Sequence, residues 1–82
     1  MLACDKHDYI EIACMYHFKV VLKLKAGGEI TGHALDTVLN SNREECIQII
    51  NHNQLPELII LSEVSTMHSV TKNLHFDCVK FD

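Results

Sequence analysis

The sequence predicts a mainly β fold with one N-terminal α-helix. Its strands are expected to form a bent five-stranded antiparallel barrel, with residues 71–82 as a tail or a sixth strand. Three observations carry this. Between residues 5 and 17, apolar residues recur at helical spacing. From residue 18 the period drops to two and continues in short runs. Turn residues separate those runs, beginning with Gly27-Gly28.

The helix comes first. Asp5 is a good N-cap, and Asp8 three residues later makes a weak variant of the capping box. Ile10, Ala13, Cys14 and His17 follow the i, i+3, i+4, i+7 spacing of a buried stripe. Asp8, Glu11 and Met15 lie away from it, and Tyr9 and Ile12 fall between the two faces. The helix should span residues 5–16. At that length it is marginal alone and must pack on the rest of the chain.

Phe18, Val20, Leu22 and Leu24 then alternate with Lys19, Val21, Lys23 and Lys25, giving a half-buried strand with a basic outer face. Ala26-Gly27-Gly28-Glu29 supplies the positive φ of a hairpin turn. The return strand is 29–35, with Ile30, Gly32 and Ala34 on one face. Gly32 marks a bend or bulge. Residues 36–45 are polar and read as a loop. The third strand, 46–51, is dense in isoleucine and expected to be buried on both faces. Residues 52–56 form a turn, because Pro56 is excluded from a central strand interior. The fourth strand is 57–61. The fifth is 63–70, where Val64, Thr66 and His68 alternate with Ser65, Met67 and Ser69. Residues 74–81 also alternate, with Leu74, Phe76 and Cys78 on one face. No internal repeat is evident. A helix followed by five short strands is the order of an Sm-like barrel, in which closure or near-closure removes exposed edges. An OB-fold would place its helix after the third strand, where no helical stretch is available.

The length of 82 residues sets one domain over 1–82, with its single core between helix and sheet. The net charge of −4 argues against a duplex-binding or anionic-membrane module. No apolar run reaches the ~18 residues of a membrane span. The start MLACDKHD lacks the basic and apolar regions of a signal peptide, so a cytoplasmic location is expected. Cys4, Cys14, Cys46 and Cys78 are then expected to be thiols.

Cys4 with His7, and Cys14 with His17, have the residue types of a zinc site. The two pairs, however, stand on the order of 15 Å apart along a helix. No metal or other cofactor is expected. There is no nucleophile motif, P-loop or G-x-G-x-x-G, so the chain is not read as an enzyme. The carboxylates Asp5, Asp8 and Glu11 are left, either as a solvated helix face or as a contact surface.

Cys4-Asp5, Asp8, Ile10-Glu11-Ile12-Ala13-Cys14 and His17 resemble the Rho-binding antiterminator family, often called Rof. The resemblance continues through the strand 20–25 and its Gly turn, Ala34 and Asp36, and residues 57–69. It covers roughly residues 4–70, and its first block is the specific part. It implies a small acidic bacterial protein with an N-terminal helix on an Sm-like barrel. Such a protein binds the hexameric termination factor Rho, blocks its primary RNA-binding site and thereby inhibits termination. The resemblance implies contacts from the helix and from the loop after the second strand. By position these are Asp5, His7, Asp8, Tyr9 and Glu11, with Asn40, Ser41, Asn42 and Arg43. An acidic helix suits a basic cleft on a partner.

The chain also departs from the family pattern. Lys6 stands where an acid is common, His7 where an aromatic is common and Tyr9 where a polar residue is common, and the 40–43 loop differs. A monomer is expected when free, with no direct nucleic-acid or membrane binding. The alternative is an Sm-like RNA-binding module using Lys19, Lys23 and Lys25. The global charge opposes it, and that face lacks the interleaved aromatics that stack on bases. A third class is an oligomeric barrel joined through strand edges.

Overall fold

The computed structural model describes residues 4–73 and 76–81, with side chains described from His7 onward. Helix α1 (Cys4–Met15) buries Ile10, Ala13 and Cys14, while Asp8, Glu11 and Met15 are exposed. Tyr9 and Ile12 lie part-way between, packed against the rim of the core. His17 departs from the expected stripe: it is exposed, because the helix has already ended. His17 N–H donates to the Cys14 carbonyl at 3.2 Å and Phe18 N–H to the Ala13 carbonyl at 2.9 Å. This pair of bonds is the Schellman closure, which places the residue after the cap in the left-handed region. Here that residue is His17, with φ 53°. Its Nδ1 donates to the Ala34 carbonyl at 3.0 Å, pinning the helix end to the sheet.

Six antiparallel strands follow: β1 (Lys19–Leu24), β2 (Glu29–Leu39), β3 (Glu45–Ile50), β4 (Pro56–Ile60), β5 (Val64–Ser69) and β6 (Cys78–Lys80). A 3-10 turn, Leu61–Glu63, separates β4 from β5. The strand order is β4-β3-β2-β1-β5-β6. The sheet is therefore open, where closure or near-closure was expected, and β4 and β6 are its edges. It still curls around one core, since Val79 of β6 belongs to the same cluster as Val20, Leu22 and Ile49, and Ile59 of β4 packs against it. Pro56 opens edge strand β4, where its missing donor costs no ladder bond.

Three sequence expectations shift for identifiable reasons. Residues 36–39 continue β2 instead of forming a loop: Asp36 pairs with Gln48, Thr37 with Ile47, Val38 with Cys46 and Leu39 with Glu45. Their polar neighbours mask a Thr-Val-Leu run of good strand formers. The β2 bulge sits at Leu35, between Ala34 and Asp36, and not at Gly32. Gly32 serves close approach instead, because a Cβ there would stand 2.6 Å from the Ile50 carbonyl oxygen. In β5, Lys23 pairs with Thr66 but Leu24 with Val64, leaving Ser65 as an extra residue. That irregularity lets Val64 and Met67 both face the core, which breaks the expected alternation. In β6 the buried residue is Val79, with Cys78 exposed, so the phase is opposite to that expected. Leu74 lies outside the described residues. In β3, Cys46, Ile47 and Ile49 are buried, whereas Gln48 and Ile50 are half-buried.

The two loops flanking β3 are built alike. Asn40 Oδ1 accepts from the N–H groups of Asn42 (2.9 Å) and Glu44 (3.0 Å), and Arg43 takes φ 61°. Asn51 Oδ1 accepts from Asn53 (2.9 Å) and Leu55 (3.1 Å), and Gln54 takes φ 64°. Each is an Asn-x-Asn-x-x turn that closes with a left-handed residue. The two Asn positions shared by NSNRE and NHNQL are its signature.

Candidate partner-binding face

The exposed side of α1 presents Asp8 and Glu11, which share a face at i and i+3. His7 sits beside them with 30% of its side chain exposed. Its Nδ1 is 3.2 Å from Glu11 Oε1 and its Nε2 is 3.0 Å from Glu45 Oε2. Both ring nitrogens thus face carboxylate oxygens, so the imidazole stands between the two acids. Glu45 is the first residue of β3, immediately after the 40–44 loop. The bridge through His7 therefore joins the helix face to that loop.

The loop is held by its own bonds. Besides the two accepted by Asn40 Oδ1, Asn40 Nδ2 donates to Glu44 Oε1 at 3.1 Å and Arg43 N–H to the Asn40 carbonyl at 3.0 Å. Ser41, Asn42 and Arg43 are exposed on it, and Asn40 is partly covered by its internal bonds. On the other side of the helix a shallow groove of about 440 Å³ runs between α1 and β2, lined by Glu11, Cys14, His17 and Asp36 among others. Burial, and after it the charges of Asp36 and Glu11, push the Cys14 thiol up to about 11. The acidic surface thus extends beyond the helix, from Asp8 and Glu11 to Asp36 on one side and to Glu44 and Glu45 on the other.

His7 reaches Glu45, two residues past the nominated 40–43 segment, so the helix face with Asp8 and Glu11 is tied to the strand start that follows that loop. Asp5 lies in α1, but its side chain falls outside the described residues. Tyr9 is turned inward, its ring edge-on to Phe76 at a centroid distance of 5.6 Å. Sequence reasoning left out Asp36, Glu44 and Glu45. The Glu44-Glu45 pair next to the nominated loop was a visible signal; Asp36 becomes legible only once β2 is known to extend past it. The zinc-like pairs have other employment: His7 bridges glutamates, His17 holds a carbonyl and Cys14 is buried. Lys19, Lys23 and Lys25 are exposed, with Lys23 opposite Glu29. Among the described residues no helix is long and apolar enough to cross a membrane.

A solved structure described as YaeO bound to magnesium, from Vibrio cholerae O395, superimposes with a TM-score of 0.86 at 35% identity, covering 92% of this chain and 96% of that one. Proteins named rof from Escherichia coli strain K12 and from Shigella flexneri are each 39% identical over 41 residues, 50% of this chain. The match spans about half the length of those relatives (49%). The family model described as modulator of Rho-dependent transcription termination (ROF), which is not an enzyme family, matches residues 1–81. With the six-stranded sheet and N-terminal helix already in place, that match over nearly the whole chain means that it belongs to the Rof family.

Proposed function

We propose that the chain inhibits Rho-dependent termination by binding the Rho hexamer and covering its primary RNA-binding site. The contact surface is the acidic side of α1 together with the 40–43 loop. The observation that carries this reading is the His7 bridge, which holds Glu11 and Glu45 on one imidazole and makes helix and loop a single surface. A site that binds RNA neutralises phosphates with lysines and arginines. Carboxylates presented on a fixed face can occupy it in their place. Complementary charge of this kind raises the association rate and makes it sensitive to salt. Asp8 and Glu11 make the main contacts, Asp5 belongs to the same helix, and residues Asn40, Ser41, Asn42 and Arg43 lie at the margin. The protein needs no cofactor or metal for this role and performs no catalysis.

Binding to purified Rho is the test, with the double variant Asp8→Lys/Glu11→Lys. Both side chains are exposed, so circular dichroism and the thermal midpoint should stay near wild type. Charge pairs that lose water at an interface are worth several kcal/mol, and reversal adds repulsion, so affinity should fall by about 100-fold or more. Inhibition of termination should fall with it. A folded double variant that binds Rho as tightly as wild type would refute the reading.

A further inference from the structure

A second cavity, of about 390 Å³, opens where the two edges of the curled sheet approach without pairing. Ile60, the last residue of edge strand β4, lines one wall; Phe81, the residue after edge strand β6, lines another. Phe81 is fixed by its N–H, which donates to the Ser65 carbonyl at 2.9 Å. Leu61, 4% exposed, supplies an apolar floor. The volume falls within the ~300–1,000 Å³ of small-molecule sites.

The polar lining is divided by sign. Lys25 and Arg43 supply cations, and among the described residues neither is paired with a carboxylate. Glu44 and Glu45 supply carboxylates, each with one oxygen already engaged, by Asn40 and by His7 respectively. Their other oxygens remain for a ligand. An anion entering here gains from the two cations and is opposed by the two carboxylates, and a cation meets the mirror of that balance. A small zwitterion with an apolar body gains from both pairs and from the wall.

We propose that this seam binds an α-amino acid with an aromatic or large aliphatic side chain. Its carboxylate is directed to Lys25 and Arg43 and its ammonium to Glu44 and Glu45. The side chain rests on Ile60, Leu61 and Phe81. The backbone of Arg43, tied to Asn40 in the closed loop, sets where the guanidinium starts. For a ligand of this size a dissociation constant of ~0.1–1 mM is expected. The site adjoins the acidic face, sharing Glu44 and Glu45 with it and Arg43 with the loop at its margin, and its amino-acid binding is read without Rho.

The test is an amide NMR titration of the full chain at fixed ionic strength. The probes are L-phenylalanine, 3-phenylpropionate (no ammonium), phenethylamine (no carboxylate) and glycine (no apolar body). Saturable shifts at the amides of Lys25, Leu61, Ser62 and Phe81 are expected with phenylalanine, and binding about tenfold weaker with each truncated probe. Lys25→Gln and Arg43→Gln, both at exposed positions, should each weaken phenylalanine binding by about threefold or more. Equal affinity for phenylpropionate or phenethylamine would overturn the proposal, as would the absence of any saturable shift with phenylalanine.

Discussion

Nε2 of His7 lies 3.0 Å from Oε2 of Glu45, across 38 positions of the chain. Both side chains are partly exposed, at 30% and 44%, so the pair contributes only ~0.2–1 kcal/mol. Its value is positional: it holds the first half of α1 against the start of β3. His7→Ala should therefore lower the thermal midpoint by no more than ~8 °C. Amide exchange in the first turns of α1 should quicken, and Rho affinity should fall despite the loss of no carboxylate. Glu45→Gln keeps an acceptor and should act more mildly. If His7→Ala left both exchange and Rho affinity unchanged, the bridge would have no role in placing the face.

Gly32 is where two backbones come closest. A Cβ there would meet the Ile50 carbonyl oxygen at 2.6 Å and the Ile49 side chain at 3.0 Å. Backbone cannot swing aside as a flexible side chain can. Gly32→Ala should cost about 1–3 kcal/mol or more, read as a lower midpoint in urea unfolding with unchanged slope. A neutral result would show that β2 and β3 can separate locally at no cost.

His17 carries two opposed effects. Its left-handed backbone costs about 1 kcal/mol relative to glycine, while its Nδ1 bond to the Ala34 carbonyl returns a similar amount. His17→Gly should be near neutral. His17→Ala keeps the strained backbone and loses the bond, and should destabilise by about 1 kcal/mol. If the two variants melted at the same temperature, the left-handed backbone would carry no cost at this position.

The helix, the Ile10, Ala13 and Cys14 part of its stripe, the Gly27-Gly28 hairpin and the placement of Pro56 at a strand boundary were legible because each rests on local chemistry. What escaped was non-local. Leu35 and Ser65 are bulge residues, and a bulge reverses the inside-outside phase of everything after it, which no period-two reading can anticipate. Sheet closure was overread for a related reason: nothing in β4 or β6 alone says whether their edges meet. For the site, Asp8 and Glu11 could be read from helix geometry. Glu45 required the His7 bridge, and Asp36 required the extension of β2. Tyr9, nominated from its position in the resemblance, turns to Phe76 because its Cβ lies between the two helix faces.

Cys14 offers a test of the acidic field from inside the protein. Its thiol is 6% exposed, and its pKa is raised from 9.0 to about 11, first by burial and then by Asp36 and Glu11. A raised folded value means that the native state holds the proton more tightly than the unfolded chain does. The associated stability is fully present below pH 9 and is lost as pH rises toward 11. The total is on the order of 2–3 kcal/mol. Cys46 is shifted in the same direction, by burial and then by Glu44, and adds to the same limb. Denaturant unfolding from pH 7 to pH 11 should thus show a steeper alkaline loss in the wild type than in Cys14→Ala, whatever the neutral-pH stability of the variant. Glu11→Lys removes one of the charges that raise the thiol and supplies the opposite one, so it should lower the Cys14 pKa and move the loss to lower pH. The same substitution is the one expected to weaken Rho binding. An alkaline slope in Cys14→Ala equal to that of the wild type would show that the thiol ionises in the folded state much as it does in the unfolded one.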